Sequence, residues 1–268
     1  LDPSDTGYVS LDRLKNPGRP HYMNSERGNQ MTVNKDLIGI RKSAAVDQGL
    51  RDHMVGTYNL LLMGLLVSAG TAWGVGQTGI FEAMTSEAGG ISGLGFLIIS
   101  APLIILMGGV FSGFATSSAV GVSLVYWLFV AFNGISLGFL ASHYSGSSVV
   151  TAALGTAIAF GGASLYGYTA KRDLTAMGTF MFMGLVGLIG ASLLNLFVGS
   201  SALMFATSII SVIVFSGLAA WETQILKDEY SPHAPASQMR MLRTMAALSF
   251  YLNVINIFQS LLFLGGDD

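Results

Sequence analysis

The chain has 268 residues, 51% of them hydrophobic and only 10% charged, with a net charge of −2 and no cysteine. Soluble domains run at about 25% charged residues, so a water-soluble monomer is excluded for want of polar surface. Without cysteine there are no disulfides, iron–sulfur clusters, thiolate nucleophiles or cysteine-type zinc sites, and so slight a charge gives no general attraction to nucleic acid.

Residues 1–56 form a polar N-terminal extension holding 15 of the 28 charged side chains, together with Pro3, Pro17 and Pro20. Nothing in it resembles a signal-peptide core. It reads as a flexible tail or as an arm that docks onto a larger membrane protein complex. A start at Leu1 fits a processed targeting segment and fits trimming equally.

Residues 57–268 read as a transmembrane domain. After Glu87 no charged side chain appears until Lys171, and further uncharged runs extend over Leu174–Trp221 and Thr244–Gly266. About 20 apolar residues, each rising about 1.5 Å, cross a hydrocarbon core of about 30 Å. Seven such spans fit, near Thr57–Gly79, Gly93–Ser112, Ala119–Ala141, Val149–Tyr168, Ala176–Val198, Ala202–Thr223 and Leu242–Leu264. The breaks between them are short and rich in Gly and Ser, including 86–90 and 143–148. A membrane β-barrel would read as alternating segments of about ten residues instead. The expected fold is all-α, a polytopic seven-helix bundle.

Lys and Arg set the orientation, because they are retained on the side from which helices insert. With the N-terminus inside, the extension contributes eight basic residues, the fourth-to-fifth connection Lys171 and Arg172, and the sixth-to-seventh Lys227, Arg240 and Arg243, which accounts for all 13. The opposite connections carry Glu82 and Glu87, and the chain ends there with Asp267 and Asp268. The expected topology is N-in and C-out.

Several catalytic spellings occur without their structural context. Gly74–Gly79 spells G-x-G-x-x-G, but at the end of a span and not between a strand and a helix. Gly134–Gly138 spells a nucleophile elbow inside a span, where no Asp and His stand by to activate Ser136. His21, His53, His143 and His233 lack metal-ligand spacing. No enzyme activity, cofactor or metal site is expected.

The glycines have a packing explanation. Gly70 and Gly74, Gly109 and Gly113, and Gly134 and Gly138 are each four apart, which opens a helix face to close backbone approach. Pro102, in mid-span, removes one backbone donor and is expected to bend the second helix unless its neighbours restrain it. Polar groups inside the spans are the functional candidates, because they are costly in hydrocarbon. Glu222 is the one formal charge among them. It is either an interfacial carboxylate near Lys227 or a proton- or cation-sensitive group. On the seventh span Asn253, Asn256 and Gln259 recur every three residues, and Asn256 with Gln259 suggests a polar seam or a helix-to-helix contact.

Residues 164–174 (Ser-Leu-Tyr-Gly-Tyr-Thr-Ala-Lys-Arg-Asp-Leu), 220–224 (Ala-Trp-Glu-Thr-Gln) and 250–258 (Phe-Tyr-Leu-Asn-Val-Ile-Asn-Ile-Phe) resemble the Bax inhibitor family, also called the transmembrane Bax inhibitor motif family. Asp47–Arg51 with Tyr58-Asn59 looks like the start of the first helix in its bacterial members. The resemblance covers roughly residues 44–265 and is most specific in the final hundred.

It implies seven helices and a pH-sensitive calcium leak, in which aspartates on the sixth and seventh helices share a proton and an arginine of the second helix helps hold the closed state. Here Glu222 and Asn253 stand at the two aspartate positions, and the second span has no arginine. One carboxylate with amide oxygens makes a weak calcium site.

Two functions follow. The first is a leak for calcium or another cation, with Glu222 as the sole titrating gate and Asn253 as its hydrogen-bond partner. The alternative is an accessory subunit of a larger inner-membrane complex, bound through the N-terminal extension and the lipid-facing helices. The expected location is a bacterial or mitochondrial inner membrane, with the lipid bilayer as the first partner and no nucleic acid.

Overall fold

The computed structural model describes residues 21–86, 90–113 and 118–266, with no account of the side chains of 21–45 and Val110. Glu87, Asp267, Asp268 and residues 1–20 lie outside the described residues, and with them the first 20 of the 56 residues of the expected docking arm. Two compact units are distinguished, residues 1–49 and residues 50–268, and the packed helical bundle belongs to the second.

Eight helices are described: α1 (His21–Gly76), α2 (Ile80–Ala83), α3 (Gly93–Phe111), α4 (Ala119–Ala141), α5 (Gly146–Thr169), α6 (Thr175–Val198), α7 (Ser201–Asp228) and α8 (Ala236–Leu264). Among the described residues the only extended pairing is a single bridge between Thr85 and Ile91, beside the α2–α3 turn. The chain is therefore an all-helical membrane protein. Six helical segments are long and apolar enough to cross a bilayer: Val46–Gly76, α4, α5, α6, α7 and α8. The apolar stretch of α3, Gly93–Gly109, is shorter than these.

The helix ends follow local chemistry. Ser118, Ser145 and Ser200 cap α4, α5 and α7, each hydroxyl accepting the amide three residues on, from Gly121, Ser148 and Leu203. Such caps satisfy donors that a helix start otherwise leaves open. α6 ends at Gly199, whose φ of 63° is a left-handed value that glycine adopts without strain.

Several boundaries differ from the sequence reading. α1 begins at His21, inside the stretch read as the N-terminal extension, and no proline interrupts it before its end at Gly76. α7 continues to Asp228 and α8 begins at Ala236. The expected spans stop where charge begins, but a helix carries charged residues past the hydrocarbon edge into water at little cost.

α8 is the central helix. It packs against α7, α5 and α4, while α3 packs on α4 and α6 on α7. Half of its apolar window is buried inside the protein, against 6% for α6. Phe250, Tyr251, Ile257 and Leu262 of α8 are wholly enclosed. The outward faces of α6, such as Phe180, Met183, Leu194 and Phe197, are exposed, as residues that face lipid should be.

The glycine pairs divide. A Cβ on Gly134 would run into Thr71 and the Ser68 backbone, and one on Gly138 would sit 2.7 Å from the Ala72 Cβ, so this pair lets α4 close on α1. Gly109 faces Val125 in the same way, bringing α3 onto α4. Gly113 is different, because it lies past the end of α3 with φ of 71° and serves a turn. Gly70 and Gly74 face open space, and the packing role expected of them is not what the bundle uses. Spacing of four marks a helix face but not whether another helix covers it.

Candidate functional site

The three segments that carry the family resemblance meet in the bundle, the first two at its α5–α6 end. Gly167 of α5 lies where a Cβ would strike the Ala220 carbonyl of α7, and Gly178 of α6 leaves room for the Trp221 ring. Gln224 of α7 then clamps the α5–α6 turn. Its Oε1 accepts the Leu174 amide at 2.8 Å, and its Nε2 donates to the Arg172 carbonyl at 2.9 Å. Asp173 accepts the Thr175 amide at 2.8 Å at the start of α6. Those hydrogen bonds from Thr175 hold its carboxyl below the ordinary aspartate range.

With α7 fixed at this end, Glu222 is carried to α8. Asn253 Nδ2 donates to Glu222 Oε2 at 2.6 Å. Asn253 is buried and Glu222 half-buried. Lys227, one turn on, does not serve this carboxylate, because its ammonium donates to the Tyr168 carbonyl at 3.3 Å and lies 5.6 Å from the centroid of that ring. Among the described residues no hydrogen bond reaches Asn253 Oδ1, which leaves the amide an acceptor to offer.

The packing around α8 makes this a fixed pair. Phe250 stacks on Tyr58 with centroids 5.4 Å apart and meets Phe160 edge-on at 5.6 Å. Tyr251 is wholly buried, its phenol 2.6 Å from the Ser68 hydroxyl, which donates to the Val130 carbonyl at 2.7 Å. The same phenol lies 3.2 Å from Asn133 Oδ1. α1, α4 and α8 are thus pinned together at Tyr251, two residues before Asn253.

The other two amides of α8 lie further along the helix. Asn256 Nδ2 donates to the Leu252 carbonyl at 2.7 Å. Asn256 and Gln259 are shared by two cavities, one of about 500 Å³ between α6, α7 and α8 and one of about 600 Å³ between α3, α4 and α8. Pro102 is buried on the wall of the second.

The remaining sequence candidates have structural roles. Ser136, the serine of the elbow spelling, donates to the Ile98 and Phe132 carbonyls. The glycine-rich spelling at 74–79 is a helix end, where the Gln77 and Thr78 amides bond back to Gly74 and Val75 and Gly79 takes φ of 73°. No cluster of three or more metal-ligating side chains occurs among the described residues.

Sequence reasoning missed two contacts. His53 is wholly buried, its Nδ1 accepting from Arg243 Nε at 3.2 Å while its Nε2 has no partner. Ser68 and Tyr251 form the other. Both pairs join residues more than 180 positions apart, and no local pattern announces them.

Comparison with known proteins shows the family. Residues 50–266 match the model of the family described as "Inhibitor of apoptosis-promoting Bax1". An uncharacterised protein of Caulobacter vibrioides is 39% identical over 236 residues, covering 85% of this chain and 93% of its own length. An uncharacterised protein of Rickettsia prowazekii is 39% identical over 233 residues, covering 86% and 96%. The inner membrane protein YbhL of Escherichia coli K12 is 34% identical over 223 residues, covering 82% and 93%. With its all-helical architecture and these matches, the chain is an integral membrane protein and a member of the Bax inhibitor family.

Proposed function

We propose that this protein is a proton-gated cation leak of a bacterial inner membrane, with Glu222 as its titrating group and Asn253 as the partner that holds the gate. The observation that carries the reading is the 2.6 Å hydrogen bond between them at the central helix. A neutral carboxyl and a primary amide make two complementary hydrogen bonds, with Asn253 Nδ2 donating to Glu222 and the acid O–H donating to Asn253 Oδ1. That pair is closed. Loss of the proton removes one of the two bonds and sets carboxylate oxygen against amide oxygen. The bare charge then draws in water and a cation.

In this reading α3 is a seventh span. Its 19 residues reach about 28 Å, close to the thickness of a hydrocarbon core. The distribution of basic residues supports an N-terminus inside and a C-terminus outside. The inner-membrane setting rests on the naming of YbhL. A single carboxylate does not hold a divalent ion strongly, so a cation passes Glu222 and is not stored there.

The test is cation flux in proteoliposomes across the neutral pH range. Flux through the unaltered protein is expected to rise as pH rises. Glu222→Gln keeps both hydrogen bonds without a titrating proton, and is expected to hold flux at its low-pH level throughout. Unchanged pH dependence in that variant would remove Glu222 from the gate.

A further inference from the structure

The cavity between α6, α7 and α8 is lined by eight polar side chains, and all but Asn195 have a side-chain oxygen to offer. Ser208 donates its hydroxyl proton to the Met204 carbonyl at 2.8 Å and Thr207 donates to the Leu203 and Met204 carbonyls at 2.9 Å. Ser260 donates to the Asn256 carbonyl and the Asn256 amide to Leu252, each at 2.7 Å. Ser208, Thr207 and Ser260 have spent their only side-chain proton on the backbone and keep oxygen lone pairs to offer, Asn256 keeps its oxygen and a second N–H, and Asn195, whose Oδ1 accepts the Ser200 amide at 2.9 Å, keeps its N–H donors. No Asp, Glu, Lys, Arg or His lines this cavity. Among the described residues no hydrogen bond reaches Gln259 or Ser211, which line it too.

Polar side chains left without partners cannot be covered by lipid, because hydrocarbon offers no hydrogen bonds. They need water or a solute. The cavity walls include Asn195 and Met204, near the α6–α7 turn, and reach Phe215 and Leu188, both buried apolar residues. From Met204 to Phe215 the helix rises about 16 Å, half the thickness of a hydrocarbon core.

We infer that this cavity is a water-filled vestibule, opening at the α6–α7 turn and closed by Leu188 and Phe215, whose outward-facing oxygens admit cations in preference to anions, with Gln259 as its free ligand. Spent protons and exposed lone pairs favour positive charge for the reason that carbonyl-lined filters do. Without a carboxylate the vestibule passes a partly hydrated cation and does not retain it. Its role in conduction rests on the leak proposed above. Its hydration and charge preference do not.

The absence of native cysteine makes the test direct, since any introduced thiol is the sole one. Ser211→Cys, Ser201→Cys at the exposed start of α7 and Ile210→Cys on an exposed apolar position are placed in nanodiscs, where both membrane faces are open. Each is treated with cationic and anionic methanethiosulfonate reagents of similar size. Ser211→Cys is expected to react, about tenfold faster with the cation than with the anion after normalising to Ser201→Cys. Ile210→Cys is expected to stay unreactive. No reaction at Ser211→Cys overturns the vestibule, and equal rates for the two reagents overturn its cation preference. These readouts do not require flux, so a failed leak and a failed vestibule are told apart. Where flux is measured, Gln259→Leu is expected to lower it severalfold at every pH without moving its midpoint. Unchanged flux in a protein that conducts removes Gln259 as a ligand.

Discussion

Asn253 is the residue at which this chain differs most consequentially from what its resemblance implies. An amide cannot share a proton by titration, so the second group of the pair contributes hydrogen bonds and no charge. Asn253→Asp would supply a second carboxyl, and two adjacent carboxylates resist double ionisation. That variant is expected to broaden the pH dependence of flux into two steps, read from the same proteoliposome titration, while a single unshifted step would show that residue 253 does not face the proton. Glycine offers a parallel contrast in stability. Gly178→Ala drives a methyl into the Trp221 ring and is expected to cost about 1–3 kcal/mol, read as a lower thermal midpoint in detergent. Gly70→Ala meets nothing within 4 Å and is expected to leave the midpoint within the scatter of surface substitutions, about 0.5 kcal/mol. In the sequence Gly70 and Gly134 look alike, each with a glycine four residues on. Which of them another backbone approaches is decided by a helix some sixty positions away, and spacing along one helix carries no such information.

At the scale of the elements, the amide of Gln224 holds the turn that starts α6. Gln224→Leu keeps the volume and removes two hydrogen bonds to backbone, worth about 1 kcal/mol each. Hydrogen exchange at the Leu174 amide is expected to quicken in that variant, and unaltered protection would show that the clamp is incidental. Asp173 adds a pH dependence of known sign. Its folded-state acidity is strengthened by Thr175, so its contribution is present above the unfolded aspartate value and disappears as pH falls through the lower folded value. The α6 start is therefore expected to fray only in acid, and Asp173→Asn to remove that part of the acid sensitivity. The helices themselves are legible because hydrocarbon forbids unpaired charge, leaving long uncharged runs that name α4, α5 and α6 nearly to the residue. The end of α7 and the start of α8 are not legible in the same way, because charge marks where lipid stops, whereas backbone hydrogen bonding marks where a helix stops. Gln224 stands inside a segment that carries the resemblance, but its two partners lie some fifty positions earlier and only the fold brings them to it.

Over the whole molecule, a peripheral α6, a central α8 and two cavities meeting at Asn256 and Gln259 give a bundle that is joined through the buried Tyr251 and looser towards the α6–α7 turn. The every-third-residue run of Asn253, Asn256 and Gln259 marks one flank of α8 as polar. It does not reveal that the first member pairs with Glu222 while the other two border open volume, since that split depends on which neighbours α7 and α4 present. A phenol shared by three helices is expected to matter for cohesion: Tyr251→Phe should cost about 1 kcal/mol or slightly more and lower the midpoint of thermal unfolding without changing the pH response of flux. The proposed gate turns on where one proton resides. Infrared difference spectroscopy of the protein in lipid, titrated through the neutral range beside the flux assay, reads that proton as the C=O stretch of a carboxylic acid. A band that is lost as pH rises with the midpoint of flux, is absent from Glu222→Gln and moves in frequency in Asn253→Leu is the result expected. A band that persists in Glu222→Gln, or flux that titrates while no carboxyl band changes, would contradict it.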